Sequence, residues 1–156
     1  MSDANGTVND KGVQYYKNLI AALKAVNIEP MVYYKQIFDW PGLSNRIWLL
    51  WRQVTLYHWD LPQYYGDLDG FQNASMADWF EMYADLCYRE FGADVKYWIT
   101  FNEPWCVSYL GYGNGEQAPG GKNSGTDDYV AGHNLLRAHA RAYRLYETKY
   151  NSTQKG

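Results

Sequence analysis

Tyr97-Trp98-Ile99-Thr100-Phe101-Asn102-Glu103-Pro104-Trp105 is an apolar, β-branched and aromatic run that ends abruptly in an amide, a carboxylate and a proline. Val95 to Phe101 reads as a buried strand, being short, rich in strand-formers and bounded by turn residues. Pro104 has no N–H to give to a ladder, so the strand stops there. Glu103 therefore stands at the C-terminal end of a strand, with a hydrogen-bonding Asn before it and an aromatic ring after it. In a barrel of alternating strands and helices, active sites are built at that end. Aromatic surroundings would disfavour the charged form of such a glutamate by desolvation, which suits a proton donor.

The rest of the chain supplies helices around this strand. A helix is expected from about Asp10 to Val26, capped by Asp10, with Val13, Tyr16, Ile20 and Leu23 on one face and Asn27 as its stop. Ile28-Glu29-Pro30-Met31-Val32 begins a strand. Thr55-Leu56-Tyr57-His58-Trp59-Asp60-Leu61-Pro62-Gln63 reads as a strand end and its loop, which continues Gly- and Asp-rich from Tyr64 to Asn73. A second long helix is expected at about Ser75 to Phe91, with Met76, Phe80, Tyr83, Cys87 and Phe91 buried and Gly92 as its stop. Residues 103–127, rich in glycine, are expected to form a long loop over the pocket. A last helix runs from about Asp127 to Tyr150, with Val130, Asn134, Ala138, Ala142 and Leu145 along one side, and 151–156 frays. This alternation implies α/β architecture with parallel strands.

The short motifs, taken together, resemble the family 1 glycoside hydrolases, the retaining β-glucosidase family. They are Thr100-Phe101-Asn102-Glu103-Pro104, His58-Trp59-Asp60-Leu61-Pro62-Gln63, Asp78-Trp79-Phe80, Phe91-Gly92, Gly111-Tyr112, Ala118-Pro119-Gly120 and His133-Asn134-Leu135-Leu136-Arg137-Ala138-His139-Ala140. The likeness covers about residues 5–32 and 55–156. It implies part of a (β/α)8 TIM barrel, from about the second helix through the fourth helix. A whole barrel needs roughly 250 residues, more than the 156 here. The resemblance implies that Glu103 is the general acid/base, that Asn102 bonds the sugar 2-hydroxyl, that His58 donates to a sugar hydroxyl and that Trp59 shapes the wall beside it. Trp105 could touch a leaving group; His133 and His139 would pack or cap on an outer helix. The substrate class implied is a small β-glycoside of carbohydrate metabolism.

Two departures from the family accompany the match. Residues 33–54 interrupt what the family builds as one strand, and a strand cannot loop out mid-ladder without leaving buried backbone groups unpaired. Either Leu50 to Tyr57 supplies a replacement strand while Ile28 to Val32 is displaced, or the insertion bulges out as its own hairpin or helix. Translated intron or mis-predicted coding sequence would account for it. The second departure is the missing nucleophile. A retaining enzyme needs a second carboxylate about 5–5.5 Å from the first, and no Glu-Asn-Gly occurs in these 156 residues. The chain by itself is therefore expected to be inactive as a hydrolase, and a non-hydrolytic sugar-binding or interaction protein derived from the same fold is the rival reading. Two open strand edges and helices without neighbours also predict aggregation or partial order.

Composition narrows the rest. Fourteen basic and seventeen acidic residues give a net charge of −3, no footprint for nucleic acid or an anionic membrane. Aromatics make up 18% of the sequence, with seven Trp and sixteen Tyr, a surplus that suits packing on the C–H faces of sugar rings as well as filling a core. Cys87 and Cys106 are too few for a disulfide framework, and Cys87 reads as a buried thiol. Neither metal nor cofactor is implied. The N-terminus does not read as a signal peptide, no run reaches membrane-spanning length, and Asn5, Asn73 and Asn151 begin glycosylation sequons.

Overall fold

A computed structural model describes residues 8–26 and 53–154. The expected strand at Ile28–Val32 and most of the 33–54 insertion lie outside them. Helix α1 spans Asp10–Ala25, strand β1 Gln53–Tyr57, the single turn α2 Gln63–Gly66, helix α3 Met76–Phe91, strand β2 Tyr97–Phe101 and helix α4 Asp127–Leu145. β1 and β2 pair in parallel, Gln53 with Tyr97 through Tyr57 with Phe101. Parallel neighbours need a crossover on one face, and α3 provides it. β1 includes Gln53 and Val54, so the last two residues assigned to the insertion belong to the ladder.

The core lies between the strand pair and helices α3 and α4. Phe101 is its hub: its ring stacks on Phe80 at 4.2 Å and meets Tyr57 and Phe71 edge-on at 5.8 and 5.9 Å. Behind the strands, Tyr88 packs edge-on against Trp98 at 5.0 Å and against Tyr146 and Tyr150. Alanines 77, 84, 131, 138 and 142 are fully buried, and small residues there let α3 and α4 approach closely. Cys87 is buried as expected, and burial pushes its thiol up to about 11.

Several local expectations are corrected. Asn9, one residue earlier than Asp10, caps α1 by accepting the Gly12 amide at 3.1 Å; Asp10 falls inside the first turn, where its charge favours the helix dipole. Of the face predicted for α1, Ile20 is the residue that is buried, while Tyr16 is 54% exposed. The helix is tied to the end of α3 by ion pairs Lys17–Glu90 and Lys24–Asp94 and by Tyr16 against Phe91. α3 does end at Gly92 as expected, but with φ −64° and not a left-handed turn, and the Gln154 side chain lies against it where a Cβ would sit. Gln154 also donates to the Tyr88 carbonyl at 2.8 Å, so the expected fraying after Tyr150 gives way to a docked turn through residue 154.

The largest revision concerns residues 103–127. Cys106–Gly113 coils into a wide helix, closed by the Asn114 amide on the Tyr109 carbonyl at 2.9 Å. The apolar density of Cys-Val-Ser-Tyr-Leu outweighs the glycines, which serve close contact. A Cβ on Gly111 would stand 2.8 Å from the Ala118 carbonyl oxygen. The 64–73 stretch likewise holds α2 and a tight turn at Gly70–Gln72. That turn is pinned from two sides. The Phe71 amide donates to the Tyr112 hydroxyl at 2.9 Å, and Asn134, 3% exposed, donates its amide to the carbonyls of Phe71 and Gln72 at 2.8 and 3.3 Å.

Candidate active site

Both parallel strands end on the same side, and the polar residues singled out from the sequence stand there. His58, Trp59 and Asp60 follow β1 directly; Asn102 and Glu103 follow β2. The last rung of the ladder is the Asn102 amide donating to the Tyr57 carbonyl at 2.9 Å. Beyond it the indole N–H of Trp59 donates to the Asn102 carbonyl at 3.1 Å. The structure thus brings Trp59 and Asn102 together. His58 places its ring beside that of Trp59, centroids 5.8 Å apart, and its amide donates to the Asp60 carboxylate at 3.0 Å.

Glu103 has φ 46° and Trp59 φ 72°, both in the left-handed region that non-glycine residues avoid. Glu103 is exposed, so the aromatic desolvation expected around it is not supplied by the described residues. Its carbonyl accepts the Val107 amide at 3.1 Å, starting the wide helix, and its Oε2 accepts a long hydrogen bond from the Cys106 thiol, 3.9 Å away. Burial, reinforced by that carboxylate, pushes the Cys106 thiol up. Sequence reasoning missed this contact. The signal was the three-residue spacing from Glu103, which brings two side chains together once the segment coils.

Trp105 is 62% exposed and stacks on Tyr109, centroids 5.2 Å apart, giving a two-ring surface just after Glu103. On the far side of β2, Thr100 and His139 share a hydrogen bond of 2.9 Å, and the His139 ring tilts against Tyr143. His133 is exposed. Among the described residues no three His, Cys, Asp or Glu side chains gather as a metal site, and no helix is long and apolar enough to cross a membrane.

A carboxylate and an amide at the carboxyl ends of parallel strands, with a His-Trp pair on the neighbouring strand, define the working end of an α/β enzyme fold. The sequence model of glycosyl hydrolase family 1 matches residues 32–156. The chain is 43% identical over 152 residues to human lactase/phlorizin hydrolase, covering 97% of this chain and 7% of that protein. It is 41% identical to rat Klotho over 152 residues, covering 97% of this chain and 13% of that protein. Among solved structures, a rice β-glucosidase (Os3BGlu6) superposes with a TM-score of 0.80 at 40% identity, over 97% of this chain and 30% of that one. The chain therefore belongs to glycosyl hydrolase family 1, and it spans less than a third of these relatives. Its α/β arrangement fits a part of the TIM barrel of such glycosidases.

Proposed function

We propose that the chain carries the acid/base side of a retaining β-glucosidase-type site and corresponds to the second through fourth helices of the barrel. Glu103 protonates the glycosidic oxygen as the leaving group departs, then takes a proton from the water that releases the sugar. Asn102 bonds the 2-hydroxyl, a contact that strengthens as the sugar approaches an oxocarbenium ion. His58 donates to a second hydroxyl of the same ring, with Trp59 beside it, and Trp105 on Tyr109 faces the leaving group. The observation that supports this reading is the placement of Asn102 and Glu103 immediately past the last rung of the ladder, across from His58 and Trp59. The substrate is a small β-linked glycoside, and the chemistry asks for no metal.

These 156 residues hold the proton donor without a Glu-Asn-Gly segment to act as nucleophile. By themselves they should not turn a glycoside over; a chain that binds the sugar without turnover is the rival, sugar-binding reading. Residues 33–54 we read as inserted sequence, translated intron or mis-predicted coding. A transcript that skips them in frame supports this, and genomic sequence lacking splice boundaries there overturns it.

The experiment exchanges residues 53–154 for the matching segment of a complete family 1 β-glucosidase and assays 4-nitrophenyl β-glucoside. The exchanged enzyme should hydrolyse it, and Glu103→Gln should lower kcat by about 10²- to 10⁴-fold, the usual contribution of a general acid/base, with the loss falling on the water-attack step because 4-nitrophenolate leaves with little protonation. Azide, which needs no base, should restore the second step and release glucosyl azide. A Glu103→Gln enzyme as active as its parent refutes the assignment. Turnover by the 156-residue chain alone refutes the single-carboxylate reading.

A further inference from the structure

We propose that Trp59 is a positioning residue: its indole N–H holds the Asn102 carbonyl and so fixes the backbone from which Glu103 is presented. Its importance for catalysis rests on the acid/base reading of Glu103; the backbone claim stands without it.

The argument is one of successive peptide planes. The plane before Asn102 is held by its amide on the Tyr57 carbonyl at 2.9 Å. The plane between Asn102 and Glu103 is held by the Trp59 indole on the Asn102 carbonyl at 3.1 Å. The plane after Glu103 is held by the Val107 amide on the Glu103 carbonyl at 3.1 Å. With the planes on both sides of its Cα tied, Glu103 takes the φ that joins them, 46°. An L-residue does not adopt that conformation unaided, and it persists where the surroundings over-determine it. Trp59 is itself left-handed at φ 72°, which turns the chain out of line after His58 as the ring reaches the neighbouring strand. At 44% exposed, the ring is not there to fill the core. Its directed contact is the N–H on the carbonyl. Two strand ends thus brace each other, and the brace acts on the one residue whose side chain must point at a leaving group.

The test is NMR on the isotopically labelled full chain, wild type against Trp59→Phe, which keeps a ring and removes the donor. In the variant the Glu103 amide–Hα coupling and Cα shift should lose their left-handed signature, while exchange of the Tyr97–Phe101 amides stays unchanged. Retention of the left-handed signature overturns the proposal. So does loss of the whole β2 ladder, because Trp59 would then be supporting the strand at large. Should the variant fail to fold, the wild type still decides. The Trp59 indole proton should exchange at least about tenfold more slowly than that of exposed Trp105; equal rates overturn the proposal. Failure of the glycosidase reading is seen elsewhere, in a Glu103→Gln exchanged enzyme that keeps its activity.

Discussion

Replacing Asn134 by Leu should loosen the Gly70–Gln72 turn and leave the rest of the helix pair in place. Leu keeps the branched skeleton and removes the hydrogen bonds, while its bulkier methyls add crowding that acts in the same direction. Asn134 is 3% exposed and gives its amide to two carbonyls, those of Phe71 and Gln72, at 2.8 and 3.3 Å. Phe71 is 1% exposed, so its carbonyl cannot turn to water when the donor is gone. Leaving one buried acceptor unmade costs about 1–3 kcal/mol, and the second, longer bond adds about 0.5–1 kcal/mol. The total is about 2–4 kcal/mol, or about 30- to 700-fold in an opening equilibrium. Hydrogen–deuterium exchange read on peptides covering 66–74 measures it directly and works at low concentration. The Phe71 amide, held by the Tyr112 hydroxyl at 2.9 Å, is the reporter. Exchange there that stays within about twofold of wild type would show that the turn is held by packing alone and would refute the reasoning.

Three further outcomes are expected. Gly70→Ala should accelerate the same peptides, since Gly70 has φ 50° and a Cβ there would run into the Tyr112 hydroxyl; combined with Tyr112→Phe, which removes that hydroxyl, the second change should cost less than it does alone. Burial opposes the Asp85 charge, but hydrogen bonds from Lys149 and Tyr150 outweigh it and hold the carboxyl below its usual value. The stability it lends is therefore complete above the unfolded pKa of about 3.9 and disappears as pH falls through the lower folded value; urea melts from neutral pH downward should show this step, and Asp85→Asn should lack it. Finally, Tyr15 and Leu19 on α1, Val26 just past its end, and Tyr129, Leu136 and Tyr143 on α4 are exposed apolar side chains, so light scattering should show association rising with concentration; a monodisperse monomer at millimolar concentration would overturn that expectation.

What could be read from the sequence follows from how local each signal was. β2 and the position of Glu103 were legible because strand-formers and Pro104 set both the element and its end within a few residues. The long helices were legible from their periodicity, and the buried Cys87 with them. The 106–113 helix was hidden because Gly111 and Gly113 read as breakers. Their real role depends on Ala118, Tyr109 and Asp128, which approach them only in three dimensions. Gly115, Gly120 and Gly125, with φ between 75° and 89°, do the turning that was expected of the whole run. The brace from Trp59 to Asn102 spans 43 residues of sequence, and no local pattern announces it.

The pairing of Gln53 with Tyr97 through Tyr57 with Phe101 has a consequence for how this gene can vary. Sliding one strand by a single position would exchange inward for outward side chains and carry the Asn102 carbonyl away from the Trp59 indole. The paired residues themselves all lie between 53 and 101, after residues 33–52 of the odd stretch. Extra or missing codons before Gln53 alter how much chain precedes the sheet without changing which residues pair within it. A codon gained or lost inside either strand sends every side chain beyond it to the opposite face, whereas one in a connecting loop is absorbed there.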